Sequence, residues 1–156
     1  MMVQRNYGMV SRIGCLIGVI FLAGIVLGGA MDTAVSGSVP DDAAVLAAAR
    51  QYLDAEVKKD YPRVYACLSP SSAYCAANSY EKYRKEAVSS PTSVTDYRII
   101  KVTYIAENDD REKYPRVEKI AEVEVECVLS YLDTGKSSEV NIGLIFVKEG
   151  GKWYKS

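Results

Sequence analysis

The segment Ala121-Glu122-Val123-Glu124-Val125-Glu126-Cys127-Val128-Leu129-Ser130-Tyr131 decides the fold class. Successive side chains of an extended strand point to opposite faces. Ala121, Val123, Val125, Cys127, Leu129 and Tyr131 therefore share one face, while Glu122, Glu124 and Glu126 share the other, with Glu118 in line behind them. One face in a core and one in water is the habit of antiparallel sheets. Carboxylates spaced along a strand do not converge on one point, so this row reads as a solvated face rather than a cation site.

The period of two recurs on either side, in Tyr97 to Ala106 and in Val140 to Lys148. Asp133-Thr134-Gly135 and Gly150-Gly151 are hairpin signals, and the second returns the chain into Lys152-Trp153-Tyr154. Upstream the period is helical: Val45, Leu46, Ala49, Tyr52, Leu53, Glu56 and Val57 recur between Asp41 and Lys59, with Asp41 and Asp42 suited to the positive end of a helix dipole. Pro62 opens a second helix over Tyr61 to Leu68, and Ser79 caps a third that ends at Val88. Ser69-Pro70-Ser71-Ser72 reads as a loop between them. Three helices packed on about four antiparallel strands make an α+β domain over 40–156.

The N-terminus belongs to another environment. Ile13 to Met31 carries no charge and would extend about 28 Å as a helix, near the roughly 30 Å of a bilayer core. Arg5 and Arg12 precede it with no acid among them, so the positive-inside bias predicts a cytoplasmic N-terminus and an exported domain. The run Cys15 to Leu27 followed by Gly28-Gly29-Ala30 also suits a cleavable signal peptide, and 1–31 is expected to be either that or a retained anchor. The product is then a single-pass protein of the cytoplasmic membrane with its domain outside, or a secreted or periplasmic one. Arg12, Ile13 and Gly14 do not make Cys15 a lipoprotein cysteine. Gly14, Gly18, Gly24, Gly28 and Gly29 fall on one helical face, where a retained anchor could meet a second copy. The small, polar 32–39 is a spacer.

Composition removes several classes of function. With 19 basic and 20 acidic residues, no net field favours nucleic acid, which is not expected as a partner. Histidine is absent, and with it the commonest metal ligand and the side chain that titrates near neutrality. No GxSxG, Walker A, HExxH, CxxC or dinucleotide fingerprint occurs, so no cofactor and no metal are expected. Asp109-Asp110 lies in a polar loop without further ligands and suits a turn.

The order of elements resembles the NTF2-like superfamily, in particular the small exported domains typified by DUF4878, over Pro40 to the C-terminus. The carriers are the first helix ending in Tyr52-Leu53, the segment Tyr65-Ala66-Cys67-Leu68-Ser69-Pro70, the strand Tyr97-Arg98-Ile99-Ile100, the strand Ala121-Glu122-Val123-Glu124-Val125 and the terminal Gly151-Lys152-Trp153-Tyr154. The resemblance implies a sheet curled round the helices as a cone whose interior holds a small apolar ligand, a catalytic site or only side chains. Enzymes of that superfamily place an Asp, His or Tyr inside. This chain has no His, and no Asp on its clearest inward strand face, which points away from an enzyme.

Two groups of residues remain as candidates. Strand parity puts Asp96 with Arg98, Ile100, Val102 and Tyr104, so an acid at the cone mouth would follow if that parity faces inward. Among twelve tyrosines, Tyr52, Tyr65, Tyr74, Tyr80, Tyr83, Tyr104 and Tyr131 would supply hydroxyls to an otherwise apolar wall. The candidate pocket is thus Tyr52, Tyr65, Asp96, Arg98, Tyr104 and Tyr131. Cys67 and Cys75 flank the turn at Pro70, and an oxidising compartment would let them pair as a disulfide, whereas Cys127 would stay a buried thiol. The expected function is a non-catalytic binding module of the cell envelope, engaging a protein partner. A cone carrying a small apolar molecule is the alternative, and a weak isomerase or hydrolase using Asp96 is a third.

Overall fold

The computed structural model describes residues 39–156. The membrane-targeting segment expected over 1–31, and the spacer up to residue 38, lie outside the described residues. Among the described residues no helix is long and apolar enough to cross a membrane.

Helix α1 (Val39–Lys58) begins two residues earlier than the periodicity suggested and ends where Lys59 turns left-handed, with φ of 54°. The Lys59 and Asp60 amides donate to the Glu56 and Ala55 carbonyls, which closes the last turn. Asp60 then caps α2 (Tyr61–Cys67) by accepting from the Arg63 amide, with Pro62 in its first turn. Ser69 to Ser72 form the expected loop, and after it comes an extra short helix, α3 (Ala73–Ala77), capped by Ser72, so the described helices number four rather than three. Ser79 caps α4 (Tyr80–Val88) as its sequence indicated.

The sheet is a meander of β1 (Thr92–Glu107), β2 (Lys119–Tyr131), β3 (Ser137–Glu149) and β4 (Lys152–Lys155), antiparallel throughout in the order β1-β2-β3-β4. The turn into β4 uses Gly150 and Gly151 at φ of 55° and 76°, a left-handed pair that a two-residue hairpin demands and that side chains resist. Beyond β4 the chain adds one more rung: Leu68 bridges Lys155 in parallel, and the Ser69 amide donates to the Lys155 carbonyl at 2.8 Å. The end of α2 is thereby fastened to the sheet edge.

Helix α1 touches β1, β2 and β4. Because β1 and β4 are opposite edges of the sheet, the sheet must curl round the helix. The core lies on this concave side, where Val45, Ala49, Tyr52 and Leu53 of α1 meet Ala121, Val123, Val125 and Cys127 of β2 and Leu144 and Phe146 of β3, all buried. Glu122, Glu124 and Glu126 stand on the convex side, as the alternation required.

At the rim, Asp41 of α1 is buried and takes two ammonium groups from the sheet, Lys119 at 2.9 Å and Lys148 at 2.8 Å. Lys119 also reaches Glu107 at 3.0 Å. The hydrogen bonds from Lys148 and Lys119 hold the Asp41 carboxyl down at about 2.

Candidate functional site

The inward face of β1 is not the one that simple alternation selects. Irregularities between Val94 and Asp96, Ile99 and Lys101, and Val102 and Tyr104 each insert a residue. Val94, Tyr97, Ile99, Val102 and Ile105 consequently oppose Leu129, Cys127, Val125, Val123 and Ala121, the core face of β2. Asp96, Arg98 and Tyr104 oppose Val128, Glu126 and Glu122 on the convex side.

The expected pocket is therefore dispersed. Asp96 is exposed and accepts from the adjacent Tyr97 amide, which is a strand-entry role. Arg98 pairs with Glu126 at 2.5 Å on the convex face. Tyr104 is 42% exposed, and its phenol is pushed up by partial burial and by Glu122. Tyr65 sits among the helices, its ring meeting Tyr80 edge-on and Tyr83 at a tilt with its hydroxyl donating to the Asn78 carbonyl at 2.9 Å, so it packs α4 on α2. Tyr131 keeps the inward parity but lies at the far end of β2, bonded to Ser138. Of the six, Tyr52 alone is in the core. Cys67 and Cys75 are free thiols, the first buried and the second half-buried, and no bridge joins them.

Around Tyr52 stands a polar group of different membership. Its hydroxyl donates to Glu56, one turn further along α1. Burial pushes the Glu56 carboxyl above the ordinary carboxylate value, outweighing the Tyr52 bond and the charge of Lys155. Lys155 is buried on the inward side of β4 opposite Phe146, with its ammonium donating to the Ser156 carbonyl. The Cys127 thiol is pushed up to about 11, by burial first and then by the Glu56 charge, and burial raises the Cys67 thiol as well, against the opposing charge of Arg63. Toward β1, the Tyr97 hydroxyl donates to Asp54 at 2.7 Å, and burial together with that acid raises its phenol to about 12.

Glu56 was visible in the sequence only as a glutamate on an otherwise apolar helical stripe, one turn after Tyr52. That misplacement was the available signal. Chemically, the pair is an acid and a phenol that can share a proton. Phe146, Leu53, Leu144, Val45, Val64, Val123 and Val125 are fully buried side chains of the same core. One interior donor, Trp153 Nε1, is buried without a partner. Among the described residues no three His, Cys, Asp or Glu side chains gather as a metal site would require.

Two concavities lie on the outside of the domain. One of about 610 Å³ runs along α4, beside Tyr80, Arg84, Lys85 and Val88. The other, of about 220 Å³, lies between Pro70, Ser71 and Ala76 on one wall and Lys113 to Arg116 on the other.

No protein-family profile matches the chain, and no curated protein does. Among solved structures, the chain is similar to a ketosteroid isomerase-like protein from Erwinia carotovora atroseptica SCRI1043, with a TM-score of 0.51 and 16% identity over 76% of this chain and 92% of that one. At that identity the likeness speaks for the fold alone, and the described domain shares with that protein an α+β arrangement of helices on four antiparallel strands.

Proposed function

We propose that the chain is a non-catalytic binding module, exported by its N-terminal segment and either held at the outer face of the cytoplasmic membrane or released from it. The observation that carries the reading is an interior face made of buried apolar side chains. Phe146, Leu53 and Leu144 stand there at 0 to 2% exposure, and the acid beside them, half-buried Glu56, is already bonded to Tyr52. The acid named for catalysis from the sequence, Asp96, faces solvent on the convex side. Binding then falls to the outer surfaces, and the partner is a protein or an envelope component.

A second reading, a cone for one small apolar molecule, is favoured by the unpartnered Trp153 indole N–H, an interior donor that a ligand could satisfy. Native mass spectrometry of the full chain released from detergent separates the two. The binding-module reading expects the bare protein mass, and a stoichiometric small molecule that Tyr52→Phe removes would replace it with the ligand-carrying cone. A cytoplasm-active reporter fused after Ser156 should stay silent, and strong reporter activity would overturn export.

A further inference from the structure

The connection between β1 and β2 is more highly built than a surface loop requires. Asn108 is 4% exposed and its amide ties the loop together: Nδ2 donates to the Tyr114 and Val117 carbonyls, both at 2.9 Å, and Oδ1 accepts from the Asp110 amide at 3.0 Å. Asp110 in turn accepts from the Lys113 amide, and the Tyr114 and Val117 amides close on the Asp110 and Tyr114 carbonyls. What this frame displays is exposed. Lys113, Tyr114, Pro115 and Arg116 add nothing to the core, yet their backbone is fixed, and loops set on rigid supports are where binding residues concentrate.

They form one wall of the 220 Å³ concavity, facing Pro70, Ser71 and Ala76. The opposite wall is also fixed, since both Ser69 and Ser71 give their protons to the buried Glu149 carboxylate, Ser71 at 2.7 Å. With its proton committed, the Ser71 oxygen has only lone pairs to offer and accepts from a hydroxyl rather than donating to an anion. Across from it, the Lys113 ammonium lies 5.0 Å from the centre of the Tyr114 ring, which is 41% exposed. Among the described residues the Arg116 side chain makes no hydrogen bond or ion pair, so its planar fork is free for a carboxylate.

An aromatic face, two proline walls, one hydroxyl acceptor and two cations in a space below the roughly 300 Å³ of drug-sized sites suit one small ring that carries both hydroxyls and an acid. We propose that this concavity is a binding site for an anionic sugar unit of the uronic-acid type, with Arg116 and Lys113 on the carboxylate, Tyr114 against the ring and Ser71 accepting from a hydroxyl. The proposal is independent of whether the cone interior takes a ligand.

The test is calorimetric titration of the full chain in detergent with glucuronic acid, methyl glucoside and inorganic phosphate. Saturable glucuronate binding is expected, weakened at least about tenfold by Arg116→Ala and by Tyr114→Ala and unchanged by Lys82→Ala on α4, with methyl glucoside at least about tenfold weaker. Circular dichroism of the exposed-site variants checks that they remain folded. Wild-type affinity in both site variants, or no saturable glucuronate binding, overturns the site. Phosphate binding as tight as glucuronate overturns the sugar class.

Discussion

Val125 and Glu124 are neighbours in the chain and opposites in environment. Val125 is fully buried against the core, whereas Glu124 accepts from Asn141 at 2.9 Å and lies 3.5 Å from Lys101 on the convex face. Truncating the first leaves a cavity that the packed interior cannot easily close, and truncating the second removes solvent-screened partners. Val125→Ala should therefore lower stability by about 1 to 3 kcal/mol in chemical denaturation, while Glu124→Ala leaves the midpoint nearly unchanged. Period-two alternation made this contrast legible because β2 runs without a bulge along its core face. Glu56 was not legible to the same degree, since helical spacing shows that a residue lies on the buried stripe but not which partner satisfies it there.

At the scale of elements, β1 shows where pattern reading stops. Thr92 to Glu107 contains Ile99 and Ile100 side by side, so either parity presents apolar residues, and sequence alone does not choose between them. The three irregularities settle it by turning Ile99 inward and leaving Ile100 outside at 36% exposure. Bulges bend a strand and raise its twist, so the residues that misdirected the sequence reading are those that help the sheet curl over α1. The short α3 escaped for a related reason: five residues give no helical period to detect, only a serine cap. The α1–α2 junction carries a further consequence. Lys59 holds a left-handed conformation that costs a side chain about 1 kcal/mol and costs glycine far less. Lys59→Gly should thus raise stability by about 0.5 to 1 kcal/mol, read as a higher urea midpoint at unchanged slope; a lower midpoint would show that the lysine stem packs at that turn.

Taken as a whole, the domain is closed at two places by ionisable groups with opposite responses to acid. Asp41 joins the start of α1 to β2 and β3 through Lys119 and Lys148, and Glu56 lies under Lys155 near the end of the same helix. The Asp41 carboxyl titrates at about 2 in the folded chain against an ordinary 3.8, so the stability it contributes is complete above about pH 4 and is lost as pH falls toward 2. Glu56 is raised above its ordinary 4.5, so it favours the folded state while protonated, and that contribution is lost as pH climbs through its raised value. Asp41 needs its charge and Glu56 its proton, so the Asp41 contribution is complete above about pH 4 while the Glu56 contribution declines only as pH rises past the ordinary 4.5, and these two groups together favour weak acid over neutrality. Urea denaturation across pH should show stability falling both toward strong acid and toward neutrality. Asp41→Asn should flatten the acid limb and leave the limb toward neutrality, while Glu56→Gln should do the reverse. If Glu56→Gln leaves the limb toward neutrality as steep as in the wild type, the Glu56 carboxyl is not what the rising pH disturbs, and Asp41 alone governs the dependence.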